Sequence, residues 1–390
     1  MVEKFSREFN VLTAVTFFFW AGWLAFNPLF PLFVVEMGAS YFELGLLMAI
    51  PSLLAIFLRL PIGMFSEKVG RRRILLLGLL IQSIAFFLCG LAQSPSLIYP
   101  VRLLQALALS FFPTVVTATI SDLALPEGRG RAFGVFFTSI GLAMIFGPFL
   151  SSFLISYVSY QGTFVLLSLI PLVGFTLYLR ASWQADESYQ NASRKTTKGS
   201  FGRIIGNRNV QALCLARVLF SFIAASFATL FSVYAKESLL FTPSLISLLF
   251  VVRGTVNALT RLPSGRLSDK IGRKRPILIG YIIVIPVFLL LAVSWGPLAF
   301  ALTMGPYGFA WGMRVPSETA MISDSLDAKD VGLGIALLQT MFPLGVTAGS
   351  MVSGVAAQYY AIPTIFLVCS LLAVPAVMAI LALVKTQPKR

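Results

Sequence analysis

The stretch Arg59-Leu60-Pro61-Ile62-Gly63-Met64-Phe65-Ser66-Glu67-Lys68-Val69-Gly70-Arg71-Arg72-Arg73 returns later in the chain as Arg261-Leu262-Pro263-Ser264-Gly265-Arg266-Leu267-Ser268-Asp269-Lys270-Ile271-Gly272-Arg273-Lys274-Arg275. Extended to Gly78 and Gly280, 11 of 20 positions are identical at a constant offset of 202. The same offset carries Thr117-Ala118-Thr119-Ile120-Ser121-Asp122 onto Thr319-Ala320-Met321-Ile322-Ser323-Asp324. A register kept over this distance marks two related halves of roughly 195 residues each.

Composition supplies the environment. The chain is 57% hydrophobic and only 12% charged, against roughly 45–50% and 25% in a soluble domain. Apolar runs of about 18 residues or more recur along the chain, each long enough to cross a hydrocarbon core of about 30 Å as a helix. Inside lipid the backbone must satisfy its own hydrogen bonds, and these runs lack the two-residue alternation of barrel strands. The expected fold is therefore an all-α polytopic membrane protein, with twelve transmembrane helices in two pseudo-symmetric six-helix bundles.

The expected spans are 10–35, 41–63, 74–93, 97–121, 132–157 and 162–179 in the first half. In the second they are 209–234, 242–261, 276–293, 298–323, 331–359 and 362–384. Asn27-Pro28 and Pro31 should break or bend the first span. The domains are read as an N-terminal bundle 1–181, a polar linker 182–208 and a C-terminal bundle 209–390. The linker carries Arg194, Lys195, Lys198, Arg203 and Arg208, with Asn191-Ala192-Ser193 as a sequon that stays unmodified on the cytoplasmic side.

A net charge of +15 would suggest nucleic acid in a soluble chain. Its placement says otherwise. With the N-terminus inside, and with Arg261 at the inner edge of its span counted with the loop that follows, 24 of the 30 Lys and Arg residues fall in internal loops or tails, five lie within spans and Lys236 alone is external. This positive-inside pattern puts both termini in the cytoplasm, in a multi-pass protein of the cytoplasmic membrane that does not bind nucleic acid. No small-residue cleavage site follows the apolar run after Asn10, so no cleaved signal is expected. Cys89, Cys214 and Cys369 sit in apolar runs, which argues against a disulfide or a metal site. The chain has no histidine, so any proton carrier has to be a carboxylate.

The repeated motif has a physical logic. Gly63 and Gly70, with Gly265 and Gly272, permit a tight turn in a short loop. Glu67 and Asp269 supply one acid that can sit at a helix N-terminus or pair with Arg. The Arg cluster can then reach Asp122 or Asp324 at the inner end of another helix.

Both copies resemble motif A of the major facilitator superfamily, in the 2–3 and 8–9 loops where that family carries it. Glu67 and Ser66 stand where the family pattern prefers Asp and Ala. Arg102-Leu103-Leu104-Gln105-Ala106-Leu107-Ala108 resembles the family's helix-4 motif, with Ala at both glycine positions. Ala143-Met144-Ile145-Phe146-Gly147-Pro148-Phe149-Leu150-Ser151 resembles the helix-5 signature of drug:proton antiporters and keeps its Gly147-Pro148. A Gly-Pro pair can equally be a packing kink. The resemblance implies alternating access, a site between the halves near the midplane, and a monomer. It also implies a cytoplasmic gate of Gly63, Glu67, Gly70, Arg71 and Asp122 with Gly265, Asp269, Gly272, Arg273 and Asp324.

Charges inside spans are functional candidates because each costs roughly 2.5–3.5 kcal/mol at a helix centre. Arg59 and Arg261 lie near helix ends and can snorkel. Arg102, Arg217, Arg253 and Arg314 lie deeper, against one deep acid, Glu318. Glu318 is one helical turn from Arg314, on the same face. Glu318, Arg314 and Arg102 are the proton-coupling candidates, with a static Arg314–Glu318 pair as the alternative. Asn27, Trp23, Gln105, Arg217, Arg253, Asn257 and Gln339 are the candidates for a substrate cavity. Gly345 and Gly349 read as close helix packing.

The expected function is secondary active transport of a small organic molecule, as proton-coupled export with no cofactor beyond the proton gradient. The alternative is a symporter or facilitator of organic anions or metabolites, using the deep arginines. A membrane enzyme would need clustered acids, histidine or a metal site, and a channel a ring of like residues. The sequence offers neither.

Overall fold

The computed structural model describes residues 6–123, 129–181, 201–293, 297–327 and 330–384. Among them the regular secondary structure is helical throughout. The first half contributes α1 (Arg7–Glu36), α2 (Tyr41–Val69), α3 (Arg71–Leu91), α4 (Pro95–Leu123), α5 (Arg129–Ile155), α6 (Tyr160–Leu167) and α7 (Leu169–Arg180). After α8 (Phe201–Gly206) come α9 (Arg208–Glu237), α10 (Pro243–Ile271), α11 (Lys274–Val293), α12 (Pro297–Leu302), α13 (Met304–Ser325), α14 (Val331–Tyr359) and α15 (Ile362–Leu383). The sequon at Asn191, with Arg194, Lys195 and Lys198, lies outside the described residues.

Eleven spans among the described residues are long and apolar enough to cross a membrane. The expected tenth span, α12 with α13, falls short of that measure. It is divided at Thr303, and α13 spends its length on Arg314, Glu318, three glycines and two prolines. The expected sixth span is likewise divided, at Ser168 between α6 and α7. In both places a hydroxyl donates back to the carbonyl three residues earlier, Ser168 Oγ to Val165 at 2.6 Å and Thr303 Oγ1 to Phe300 at 2.6 Å. Ser139 and Thr176 make the same bond inside unbroken helices, so it accompanies these divisions without explaining them.

Three expectations are corrected. Of the break or bend expected in the first span, the break does not occur: α1 runs unbroken through Pro28 and Pro31. Both prolines and Leu29 to Val34 around them are buried, and packed neighbours let a membrane helix tolerate proline. The second and eighth spans do not stop at Gly63 and Arg261 but continue as helix through the repeated motif. Gly63 and Gly265 therefore lie inside helices. The turn is made by Gly70 (φ 97°) and Gly272 (φ 89°), a region L side chains rarely adopt.

Two compact units emerge. The first comprises 1–38, 50–196 and 243–248, and the second 39–49, 197–242 and 249–390. Thus the opening turns of α2 are grouped with the second half and those of α10 with the first. In the second unit Tyr41 donates to Glu237 Oε2 at 2.7 Å, and α2 meets α14 at Gly45 and Gly354. A Cβ on Gly45 would lie 2.6 Å from the Ser350 carbonyl. In the first unit Ser152 Oγ donates to the Ser244 carbonyl at 2.9 Å.

Within each unit, helices close on small residues. Without a hydrophobic drive between helices in lipid, backbone proximity and packing hold them together. A Cβ on Gly147 of α5 would lie 2.5 Å from the Ala21 carbonyl of α1. Gly349 of α14, at the same offset of 202, presses on the Phe222 carbonyl of α9, and Gly345 presses on Val218 and Ser221. Gly147-Pro148 is thus a packing contact, and Gly345-x-x-x-Gly349 packs as its spacing suggests.

Gly349→Ala puts a methyl against backbone that cannot step aside, and should cost about 1–3 kcal/mol. In the same helix a Cβ on Gly332 meets open space, so Gly332→Ala should be neutral or stabilise by about 0.4–1 kcal/mol. Thermal unfolding in detergent separates the two.

Candidate functional site

The deepest charges of the second unit gather on one carboxylate. Arg314 and Glu318 stand one turn apart on α13, and both are 0% exposed. Arg314 Nη1 donates to Glu318 Oε1 at 2.5 Å. Tyr281 of α11 donates its hydroxyl to the same oxygen at 2.9 Å. Arg217 of α9 brings Nη2 to 2.6 Å from Glu318 Oε2. One carboxylate therefore ties three helices together, with two guanidinium groups against a single acid. Phe220 of α9 lies 3.7 Å from the Arg314 guanidinium carbon, ring centre to atom, and Trp311 lies at 5.4 Å.

The spacing of Arg314 and Glu318 predicts their own pair and nothing of the cross-helix partners. Arg217, a cavity candidate by depth, is in fact a counter-ion of Glu318, and Tyr281 was missed. The internal repeat holds the signal that finds them. At the offset of 202, Tyr281, Arg314 and Glu318 correspond to Leu79, Phe112 and Val116. Those three are core residues of the first unit, packed with Phe19. α1 and α9 match at an offset of 201, which pairs Phe19 with Phe220 and Thr16 with Arg217. Phe19 stacks on Phe112 with ring centres 4.3 Å apart, where Phe220 covers Arg314. The first half shows that the fold fills these positions without charge.

Three candidates meet in the first unit. Arg102 is buried, donates to Gln105 Oε1 at 2.6 Å, and has its guanidinium carbon 4.4 Å from the Phe30 ring centre and 5.8 Å from that of Trp23. Asn27, half-buried on α1, completes the polar residues of that helix's middle. In the second unit, Asn257 accepts from Arg261 Nε at 2.8 Å, and Gln339 is exposed on α14. Arg253 is half-buried. Its guanidinium carbon lies 5.0 Å from the Phe250 ring centre and 5.6 Å from those of Phe227 and Tyr307. A ring face contributes about 0.5–2 kcal/mol, less than a carboxylate would offer at that depth.

The repeated motif forms two like constellations. Arg71 pairs with Asp122. Arg273 pairs with Asp324 at 2.9 Å and with Asp269, and donates to Ser268 Oγ at 2.9 Å. These bonds raise the Arg273 pKa, against the lowering effect of its partial burial. Glu67 is exposed in the last turns of α2. The next residue in each copy does something the motif alone does not suggest. Arg72 donates to the Leu179 and Ala181 carbonyls at 2.9 Å each, and Lys274 to Leu381 at 2.9 Å and Val384 at 2.8 Å. Both cap the C-terminal end of a helix, α7 or α15, where a cation meets unpaired carbonyls.

The Major Facilitator Superfamily model matches residues 12–234 and again 213–390. The chain belongs to this superfamily. Among similar proteins, the multi-drug resistance efflux pump PmrA of Streptococcus pneumoniae is 25% identical over 361 residues, covering 88% of each chain. Multidrug resistance protein 2 of Bacillus subtilis is 24% identical, over 84% of this chain and 83% of its own. The crystal structure of the nucleoside transporter NupG superposes with a TM-score of 0.77 at 16% identity, covering 97% of this chain and 99% of the other. At that identity the likeness concerns the fold, which is the facilitator fold.

The facilitator chain is thus a multi-pass membrane protein and a secondary transporter of small molecules. Among the described residues no group of three or more His, Cys, Asp or Glu side chains could hold a metal ion. In this chain Glu318→Val would leave two buried guanidiniums without their acid, a loss of about 3–5 kcal/mol. Replacing the whole cluster by its first-half equivalents (Arg217→Thr, Tyr281→Leu, Arg314→Phe, Glu318→Val) should instead match wild-type stability or exceed it by about 1–4 kcal/mol. Unfolding of the purified protein in micelles checks both.

Proposed function

We propose that the protein exports small organic molecules in exchange for protons, by alternating access, with Glu318 as the proton carrier. The observation that carries this is the bridging geometry: the acid's bonds to Arg217 and Tyr281 cross between helices. A proton on Glu318 removes the charge that holds Arg217 to α13 and leaves only weaker hydrogen bonds between α9, α11 and α13. Proton arrival and helix rearrangement are then the same event, which is what coupling requires. The similar pumps, named for multidrug efflux, support the direction.

In this reading the protein is a monomer in the cytoplasmic membrane with both termini inside, as the distribution of Lys and Arg argues. Its energy comes from the proton gradient, without a cofactor. Glu67, Arg71 and Asp122, with Asp269, Arg273 and Asp324, form cytoplasmic latches whose ion pairs break and re-form in each cycle. Gly70 and Gly272 turn the chain between the latch helices, while Gly63 and Gly265 lie within α2 and α10. Trp23, Asn27, Arg102, Gln105, Asn257 and Gln339 contribute to substrate contacts, and Arg102 has a second task in coupling.

The test is proton flux in proteoliposomes that hold a pH gradient and a pH-sensitive dye, challenged with tetraphenylphosphonium, ethidium and organic anions. Substrate-driven flux is expected in the wild type, and Glu318→Gln should fall to the level of protein-free vesicles. Substrate movement without protons in the wild type would sink the coupling role of Glu318.

A further inference from the structure

One face of α13 carries buried hydrogen-bond donors that have no acceptor among the described residues. Tyr307, Trp311 and Arg314 follow at i, i+4 and i+7, which places them on one side of the helix. The Tyr307 hydroxyl, Trp311 Nε1, and Arg314 Nε and Nη2 are all buried without a hydrogen-bond partner. The Trp311 indole approaches the Tyr307 hydroxyl but closes no bond of normal geometry, and the hydroxyl hydrogen then still has nowhere to go. Arg253 of α10 adds a fourth donor group beside Tyr307. Among the described residues it meets the rings of Phe227, Phe250 and Tyr307 and no carboxylate.

Satisfied buried polar groups are the rule, so a row of donors without acceptors identifies the missing partner as an acceptor. Its charge follows from the guanidinium: the complement is an anion, held in bidentate fashion. Its frame follows from the aromatic surroundings. Tyr307 packs on Phe227 at 4.8 Å and on Phe288 at 5.6 Å between ring centres, and Phe250 stands 6.0 Å from Phe227. The Arg253 backbone is also pinned, because Gly308 lets α13 come against its carbonyl, where a Cβ would collide. Arg253 differs from Arg314 in access: Arg253 is half-buried and Arg314 fully enclosed.

We propose that Arg253, Tyr307 and Trp311 form a docking point for the anionic group of an aromatic molecule, a carboxylate or a sulfonate. Calling that molecule cargo rests on the transport function proposed above; the binding site itself does not. Arg314 then serves both neighbours, Glu318 through Nη1 and the docked anion through its remaining nitrogens.

Binding is measured by equilibrium dialysis on the full chain in phosphatidylcholine nanodiscs, which supply no anionic headgroup. The probes are 2-naphthoate, 2-naphthalenesulfonate, 2-naphthylmethanol, 2-naphthylmethylammonium and inorganic phosphate. Naphthoate and the sulfonate should bind, and the alcohol and the amine more weakly. Arg253→Gln should weaken both anions by about 30-fold or more and leave the alcohol unchanged. Arg253→Lys should restore part of the anion preference, and Tyr307→Phe should weaken both anions and leave the alcohol unchanged; unfolding temperatures confirm that each variant is folded. Equal naphthoate affinity in wild type and Arg253→Gln, no naphthoate binding, or preference for the amine overturns the proposal. Phosphate binding that naphthoate does not displace overturns its aromatic part. Arg253-dependent binding without naphthoate-driven proton flux in wild-type proteoliposomes upholds the docking point and removes the transport reading.

Discussion

In hydrocarbon no water is available to complete a hydrogen bond, and this constraint shapes the molecule at every level. It makes the chain helical, and it makes each charge within a span answerable to a neighbour. Glu318 is where the constraint concentrates. Its two oxygens are addressed by Arg314 of its own helix, Arg217 of α9 and Tyr281 of α11. Taking away one member leaves the others stranded in a medium that cannot solvate them. A cluster of this kind is a poor way to gain stability.

The duplication argues the same point from within the chain. Positions 79, 112 and 116 hold Leu, Phe and Val in the first unit's core, while 281, 314 and 318 hold Tyr, Arg and Glu in the second. Two copies of one scaffold, one apolar and one charged at equivalent sites, separate what the fold needs from what has been added to it. What the two copies retain in common is different in kind. Gly70 and Gly272 turn the chain with positive φ, Arg71 and Arg273 reach Asp122 and Asp324, and Arg72 and Lys274 cap α7 and α15. The shared features turn and join the helices, and the divergent ones place a charged cluster where the first unit has apolar core.

Legibility in the sequence follows the same division. The repeat, the apolar runs and the glycine-acid-arginine motif specify the helical fold and the Arg–Asp pairings, because they depend on local spacing and composition. Helix boundaries were harder. Proline signals a break at Pro28 and Pro31 only where neighbours do not compensate, and here they are buried. The division of the sixth and tenth spans falls at Ser168 and Thr303, whose backbone keeps helical angles, and so leaves no periodic trace. In the site, the i,i+4 pair of Arg314 and Glu318 was readable and its partners were not. Arg217 and Tyr281 reach Glu318 across helices, and a linear pattern does not encode which faces meet.

The arginine surplus of the second unit finds its place in this picture. Glu318 accounts for Arg314 and Arg217 but not for Arg253, which lies on α10 among rings. A charge that served only to bind helices would be expected beside an acid, as Arg273 is beside Asp324 and Asp269. Ring faces instead hold a guanidinium in place while leaving its hydrogen-bonding capacity unspent, since they engage the cation's charge and not its N–H directions. Tyr307 and Trp311 are in the same condition, enclosed with their donors unused. Two polar centres therefore meet α13: one at Glu318, where two guanidiniums face a single acid, and one beside Arg253 of α10, at Tyr307 and Trp311, whose hydroxyl and indole have no hydrogen-bond partner among the described residues. Arg314, with one nitrogen on Glu318 and two others free of hydrogen bonds, stands where a change at either centre is felt by the other.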